Sequence, residues 1–307
     1  MAIAADSRGF VGAKNIVKLG GKVCGGAYRA TGGSIHADVM SVSLAADPVV
    51  RKHLGSFFYE PVTIMVGLDL EPELYACITE TWSGQHVRKD LTVIKADFNM
   101  NAISERTFHQ SLLTEVTIPE LDAHSKDLGR LALTFTPETI IMASKSGKVG
   151  VEPPKKKPSK FLLSNFRLTI DGLDCKRVSR NDPLTVTQKV TSQGAGEARD
   201  FHIEPGSLDV PMLKFYLPAG HAQPFKDYFK HFVLEGHDGD SDEKSGKLEL
   251  ISPNLTTVLA TITFGNLGIY RIAEEEMPHG YEGVEQFSVE MYCETMTFAM
   301  GAGAGKT

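Results

Sequence analysis

The sequence predicts a mainly β protein in two tandem halves, each carrying one short helix. Three observations predict it. Apolar and polar residues alternate with the period of half-buried strands over many short stretches; a Pro- and Lys-rich segment interrupts the pattern near mid-chain; and the order of elements before that segment recurs after it. In the clearest stretch, Thr257 to Phe298, Val258, Ala260, Ile262 and Phe264 share one face and Thr257, Leu259, Thr261 and Thr263 the other. Phe287, Val289, Met291 and Cys293 repeat the pattern opposite Ser288, Glu290, Tyr292 and Glu294. Between these runs, Ala273 to Val284 holds Glu274, Glu275, Glu276, Pro278, Gly280 and Gly283, too polar and too broken for a core element.

A chain of 307 residues with 42% hydrophobic content buries a substantial core and favours two domains over one. Its net charge of -6 lacks the basic excess that sequence-independent nucleic-acid binding needs, so no specific nucleic-acid partner is expected. No apolar run reaches the length of a signal-peptide core or a bilayer span, which predicts a protein made in a cytoplasm without a membrane anchor. Cys24, Cys77, Cys175 and Cys293 stand far apart with no CxxC pairing, and read as buried thiols.

The elements follow in order. Eight glycines between Gly9 and Gly33 predict an irregular, arm-like lead. A strand is expected at His36 to Leu44, then a short helix started by Asp47-Pro48, with Val50, Leu54, Phe57 and Phe58 spaced to bury one face. Strands are predicted at Pro61 to Leu68, Leu74 to Thr79, Leu91 to Phe98, Leu112 to Ile118 and Leu131 to Met142, with Glu80 to Asp90 as a polar turn. Pro153, Pro154, Pro158 and six lysines between Ala143 and Lys160 read as a linker. The expected division is therefore 1–150, a linker at 151–160, and 161–307. Beyond the linker, strands are expected at Phe166 to Ile170, Leu184 to Val190, Met212 to Leu217 and Lys247 to Ile251. A helix from Pro224 to Val233 presents Phe225, Tyr228, Phe229 and Phe232 as a core stripe.

The two halves share short matches. Leu133-x-Phe135-x-x-Glu138-Thr139-Ile140 sits in register with Val289-x-Met291-x-x-Glu294-Thr295-Met296, and Asp38-Val39 before the Pro48 helix parallels Asp209-Val210 before the Pro224 helix. The stretch from helix proline to glutamate is longer in the first half, which calls for an insertion of about twenty residues.

Sequence motifs for chemistry are weak. The tail Gly301 to Thr307 ends like a phosphate-binding loop, but Met300 stands where its first glycine belongs and no helix follows. Asp238, Asp240, Asp242 and Glu249 fall at calcium-loop spacing, with Glu243 in place of the turn glycine. His231 and His237, six apart at a helix end, make a poor metal pair, and neither HExxH nor GxSxG is present. These readings point away from an enzyme and from any metal or cofactor.

The second half, Phe161 to Met300, with Pro224-Phe225-x-x-Tyr228-Phe229, Asn266-Leu267-Gly268-Ile269-Tyr270 and Glu290-Met291-Tyr292-Cys293-Glu294, resembles the tail-tube proteins of phages and contractile injection machines, a fold shared with the haemolysin-coregulated protein of type VI secretion. The first half resembles it more faintly, through the repeat. The resemblance implies two tandem β-barrel or sandwich domains, each with a helix packed on it, and subunits joined sheet to sheet in a ring around a channel. It implies a structural role in a virion tail or injection particle, as a tube subunit or a hub, with other tail, sheath or spike proteins as partners. Three two-domain copies would give a pseudo-six-fold ring; six copies are the other arrangement. Glu274, Glu275, Glu276, His279 and Tyr281 in the long loop, and the single tryptophan Trp82, are the candidate assembly contacts. A ligand-binding β-barrel module is the competing expectation, for which a concave pocket with convergent polar groups would speak.

Overall fold

The computed structural model describes residues 14–43, 49–144, 147, 149, 161–194, 201–276 and 284–301. The linker at 151–160 and the Gly-Ala tail beyond Gly301 lie outside them. The first half runs β1 (Lys14–Leu19), β2 (Lys22–Ala27), β3 (Arg29–Gly32), β4 (Ile35–Val42), β5 (Arg51–Tyr59), β6 (Val62–Val66), α1 (Pro72–Trp82), β7 (Lys89–Ala96), β8 (Ala102–Ile118), β9 (Leu121–Asp122), β10 (Leu131–Thr136) and β11 (Thr139–Ser144). The second runs β12 (Phe166–Ile170), β13 (Arg180–Asn181), β14 (Leu184–Gly194), β15 (Phe201–Asp209), β16 (Leu213–Pro218), α2 (Gln223–Phe229), a π turn at Lys230–Leu234, β17 (Lys244–Ile251), β18 (Val258–Glu274) and β19 (Gln286–Met300).

The fold is mainly β, with antiparallel sheets of which none closes into a barrel among the described residues. One sheet is ordered β2-β1-β7-β8-β10-β6-β3, and a second β12-β17-β18-β19-β16-β13-β9; β4 and β5 form a two-stranded sheet of their own. The halves exchange strands. β14 of the second half pairs with β8 of the first, Leu184 opposite Ile118 and Val186 opposite Val116, while β9 of the first half caps the second sheet through β13. Side chains from both halves meet in one core, where Phe108, Phe135, Phe215, Phe225 and Phe264 are fully buried.

Three expectations are corrected. The segment after Pro48 is not a helix: Arg51–Tyr59 is a strand laddered to β4, with Val39 opposite Leu54. Its apolar spacing suits either period over so few residues. The first helix lies at Pro72–Trp82 instead, where a strand was expected. Pro72 opens it, and Leu74, Cys77, Ile78 and Trp82 are its buried stripe. The glycine-rich lead is not irregular from residue 14 onward either. Gly20 and Gly21, both at positive φ, turn the chain between β1 and β2.

The repeat is present in the ladders residue by residue. In the first half Thr117, Val116 and Glu115 pair with Ala132, Leu133 and Thr134, and after a bulge Leu113 pairs with Phe135. In the second, Ala273, Ile272 and Arg271 pair with Ser288, Val289 and Glu290, and after a bulge Ile269 pairs with Met291. The strand match between Glu138 and Glu294 holds in register. Because α1 starts at Pro72, the inserted twenty residues are not required.

Candidate assembly surface

β18 is 17 residues long, and only part of it is paired on both sides. β19 covers one edge from Ala260 to Glu274. On the other edge β17 reaches only to Leu267, where Lys244 is its last partner. Among the described residues Gly268 to Glu274 have no ladder partner on that side, so the amide and carbonyl groups aimed there offer a strand-length docking edge. Charged groups fix the side chains of this segment. Arg271 donates to Glu290 at 2.9 Å, the Tyr270 hydroxyl donates to the same carboxylate at 2.7 Å, and Lys214 stands 3.1 Å away. Burial pushes the Glu290 carboxyl up, but the Tyr270 hydrogen bond and the Lys214 ammonium outweigh it and hold the group below its ordinary value.

The β4–β5 hairpin is the second feature. It continues the β3–β6 ladder outward, the Gly33 amide donating to the Pro61 carbonyl at 3.0 Å and the Glu60 amide to the Ser34 carbonyl at 2.9 Å, and it presents Val39, Met40, Val42 and Leu54 to solvent, Leu54 at 77% exposure. Its counterpart, the β14–β15 hairpin, is anchored on β8 instead.

Of the contacts expected from sequence, Glu274, Glu275 and Glu276 stand at the mouth of the β18–β19 loop. The Glu275 amide donates to the Gln286 carbonyl at 2.9 Å, which extends the ladder past Glu274. A hydrogen bond shared with Glu274, and that residue's charge, raise the Glu285 carboxyl above its ordinary value. His279 and Tyr281 lie outside the described residues. Trp82 is a buried core residue at the end of α1, its ring edge-on to Phe298 at 5.9 Å. The free edge of β18 was missed in the sequence, although strand lengths alone hint at it, β18 being longer than β17.

Other clusters are accounted for locally. His231 and His237 stack at 4.2 Å, and with Glu235 they bring ligand-type atoms within 4.8 Å of one another. The π turn brings together what the sequence spacing seemed to separate, but all three are exposed, and Glu235 is engaged by His231 and Lys230. Glu249 of the calcium-like spacing belongs to β17 and receives Arg167 at 2.7 Å. A shallow pocket between the two hairpins is lined by Phe58, Thr136, Val190 and Ile203, and its carboxylate, Glu138, is held by Arg88. All four cysteines are buried, and burial pushes the Cys77 and Cys175 thiols up to about 12.

No protein-family model and none of the curated proteins matches this chain. Among solved structures the chain is similar to the sheath/tube terminator of an extracellular contractile injection system, PVC, in the extended state, at TM-score 0.38 and 19% identity over 46% of this chain and 100% of that one. It is similar to a chain of the anti-feeding prophage baseplate at TM-score 0.35 and 14% identity, over 49% of this chain and 98% of that one. It is similar to Hcp1 from Flavobacterium johnsoniae at TM-score 0.28 and 12% identity, over 44% and 95%.

Proposed function

We propose that this chain is a structural subunit of a phage tail or phage-like contractile injection apparatus, acting without catalysis and assembling sheet to sheet into a ring around a central channel. The observation that carries this reading is the coexistence, in one chain, of an unpaired strand edge at Gly268 to Glu274 and a β4–β5 hairpin that turns apolar side chains to solvent and ladders with no third strand among the described residues. Each half of that pair is unfavourable alone: the edge leaves backbone groups without a ladder, and the hairpin leaves apolar surface in water. Copies that satisfy one with the other become more stable than the isolated chain. The ring serves as tube segment or hub, with three or six copies, and stacks on other tail, sheath or spike proteins through the Glu274 to Tyr281 loop. The open sheets and the already paired Glu138 give less support to a ligand-binding barrel.

Native mass spectrometry with negative-stain imaging of the same sample tests the proposal. Closed rings or stacked tubes are expected. A folded monomer at every concentration, even with neighbouring tail proteins added, would overturn it.

A further inference from the structure

Resting on the ring reading above, we propose that β4 of one copy adds to the free edge of β18 in the next, in the register that β14 already takes on β8 within the chain. The two hairpins match pair by pair. In the first, His36 faces Phe58 and Ala37 faces Phe57, then after a bulge Val39 faces Leu54. In the second, Thr187 faces Asp209 and Gln188 faces Leu208, then after a bulge Val190 faces Pro205. The receiving edges match as well, Thr117 and Val116 of β8 standing where Ala273 and Ile272 stand in β18.

β14 sets Thr185 opposite Thr117, Val186 opposite Val116 and Thr187 opposite Glu115. Transferred to the unpaired elements, the same contact sets Ser34 opposite Ala273, Ile35 opposite Ile272 and His36 opposite Arg271. Val186 and Val116 are both buried, whereas Ile35 is 45% exposed and Ile272 half-buried, an apolar pair left open in the isolated chain. The occupant is therefore a second copy. This one chain carries both the hairpin and an edge of matching register.

A second contact agrees. Inside the chain, α1 lays Tyr75 and Trp82 on Phe298, with ring centroids 6.1 and 5.9 Å apart. Phe298 corresponds through the ladders to Met142, which is 53% exposed, and the end of α1 corresponds to Val233 and Leu234, also exposed. The step that seats β4 on β18 brings the π turn after α2, in the copy that supplies β18, over Met142 of the copy that supplies β4. Charge agrees too. His202 lies 3.6 Å from Glu138 within the chain; the corresponding residues are Arg51 and Glu294, of opposite sign. The contact is head-to-tail, and repetition gives a ring when the rotation closes.

The test mixes two single variants, Ile35→Cys and Ile272→Cys, under mild oxidation. Cα atoms facing each other across an antiparallel ladder lie about 4.5–5.5 Å apart, within disulfide reach, and the native thiols are buried. A covalent dimer is expected in the mixture and in neither variant alone, and the double variant is expected to give covalently closed rings. Ser34→Cys mixed with Ala273→Cys repeats the test one register position away, should either first variant fail to fold. Rings that form without either cross-link would overturn this contact and leave the ring reading standing; a folded monomer with no cross-link would overturn both.

Discussion

Single residues carry the repeat as clearly as whole strands do. Gln110 and Asn266 both adopt left-handed backbone, φ 48° and 56°, at matching points of β8 and β18. The fully buried Phe108 and Phe264 stand two residues before them. Asparagine tolerates this conformation better than glutamine does. Gln110→Gly should therefore raise stability by about 0.5–1 kcal/mol, since the left-handed penalty removed exceeds the added chain entropy; urea unfolding would show the midpoint rise. Glu290 gives a pH-dependent case. Its carboxyl lies below its ordinary value of 4.5 in the folded chain, so its contribution is present above that value and is lost as pH falls through the folded one. Glu290→Gln should cost about 1–3 kcal/mol at neutral pH. The gap from the parent should close on acidification, read from unfolding curves at both ends of the range.

At the scale of elements, the two hairpins have the same ladders and different surroundings. Leu54→Asp on the exposed β5 should leave the melting temperature of the isolated chain within about 2 °C of the parent, as surface substitutions do, while reducing ring formation. Val186→Asp on β14 places a charge in the shared core and should destabilise the folded chain itself by about 3 kcal/mol or more. A light-scattering series beside thermal melts separates the two. The same elements show what the sequence reveals. Long strands with clean alternation, β18 and β19, are legible because one face is core and the other is not. The Arg51–Tyr59 strand is not, because both of its faces are largely exposed in the isolated chain and neither period dominates. α1 was hidden by Leu74, Tyr75, Ala76, Cys77 and Ile78, an apolar run that reads equally well as a buried strand; Pro72 and the later Trp82 were the signals for a helix.

For the whole molecule, strand exchange decides what the chain can be. With β14 on β8 and β9 on the second sheet, the halves are fastened by the same kind of bond that holds each one together. This long-range pairing could not be read from a sequence pattern that describes each half on its own. A chain whose two halves meet through one strand addition, and whose outer ends carry the hairpin and edge of a second, would alternate internal and external joints of one type under the proposed contact. If both joints impose the same rotation, a ring of copies shows twice as many lobes as it has chains. Mass and image symmetry should then differ by a factor of about two, since each subunit contributes two near-equivalent units to a closed head-to-tail ring. Three chains with six lobes, measured by native mass and by class averages of negatively stained particles, fits this geometry. Lobes equal in number to chains would mean that the external joint is unlike the internal one.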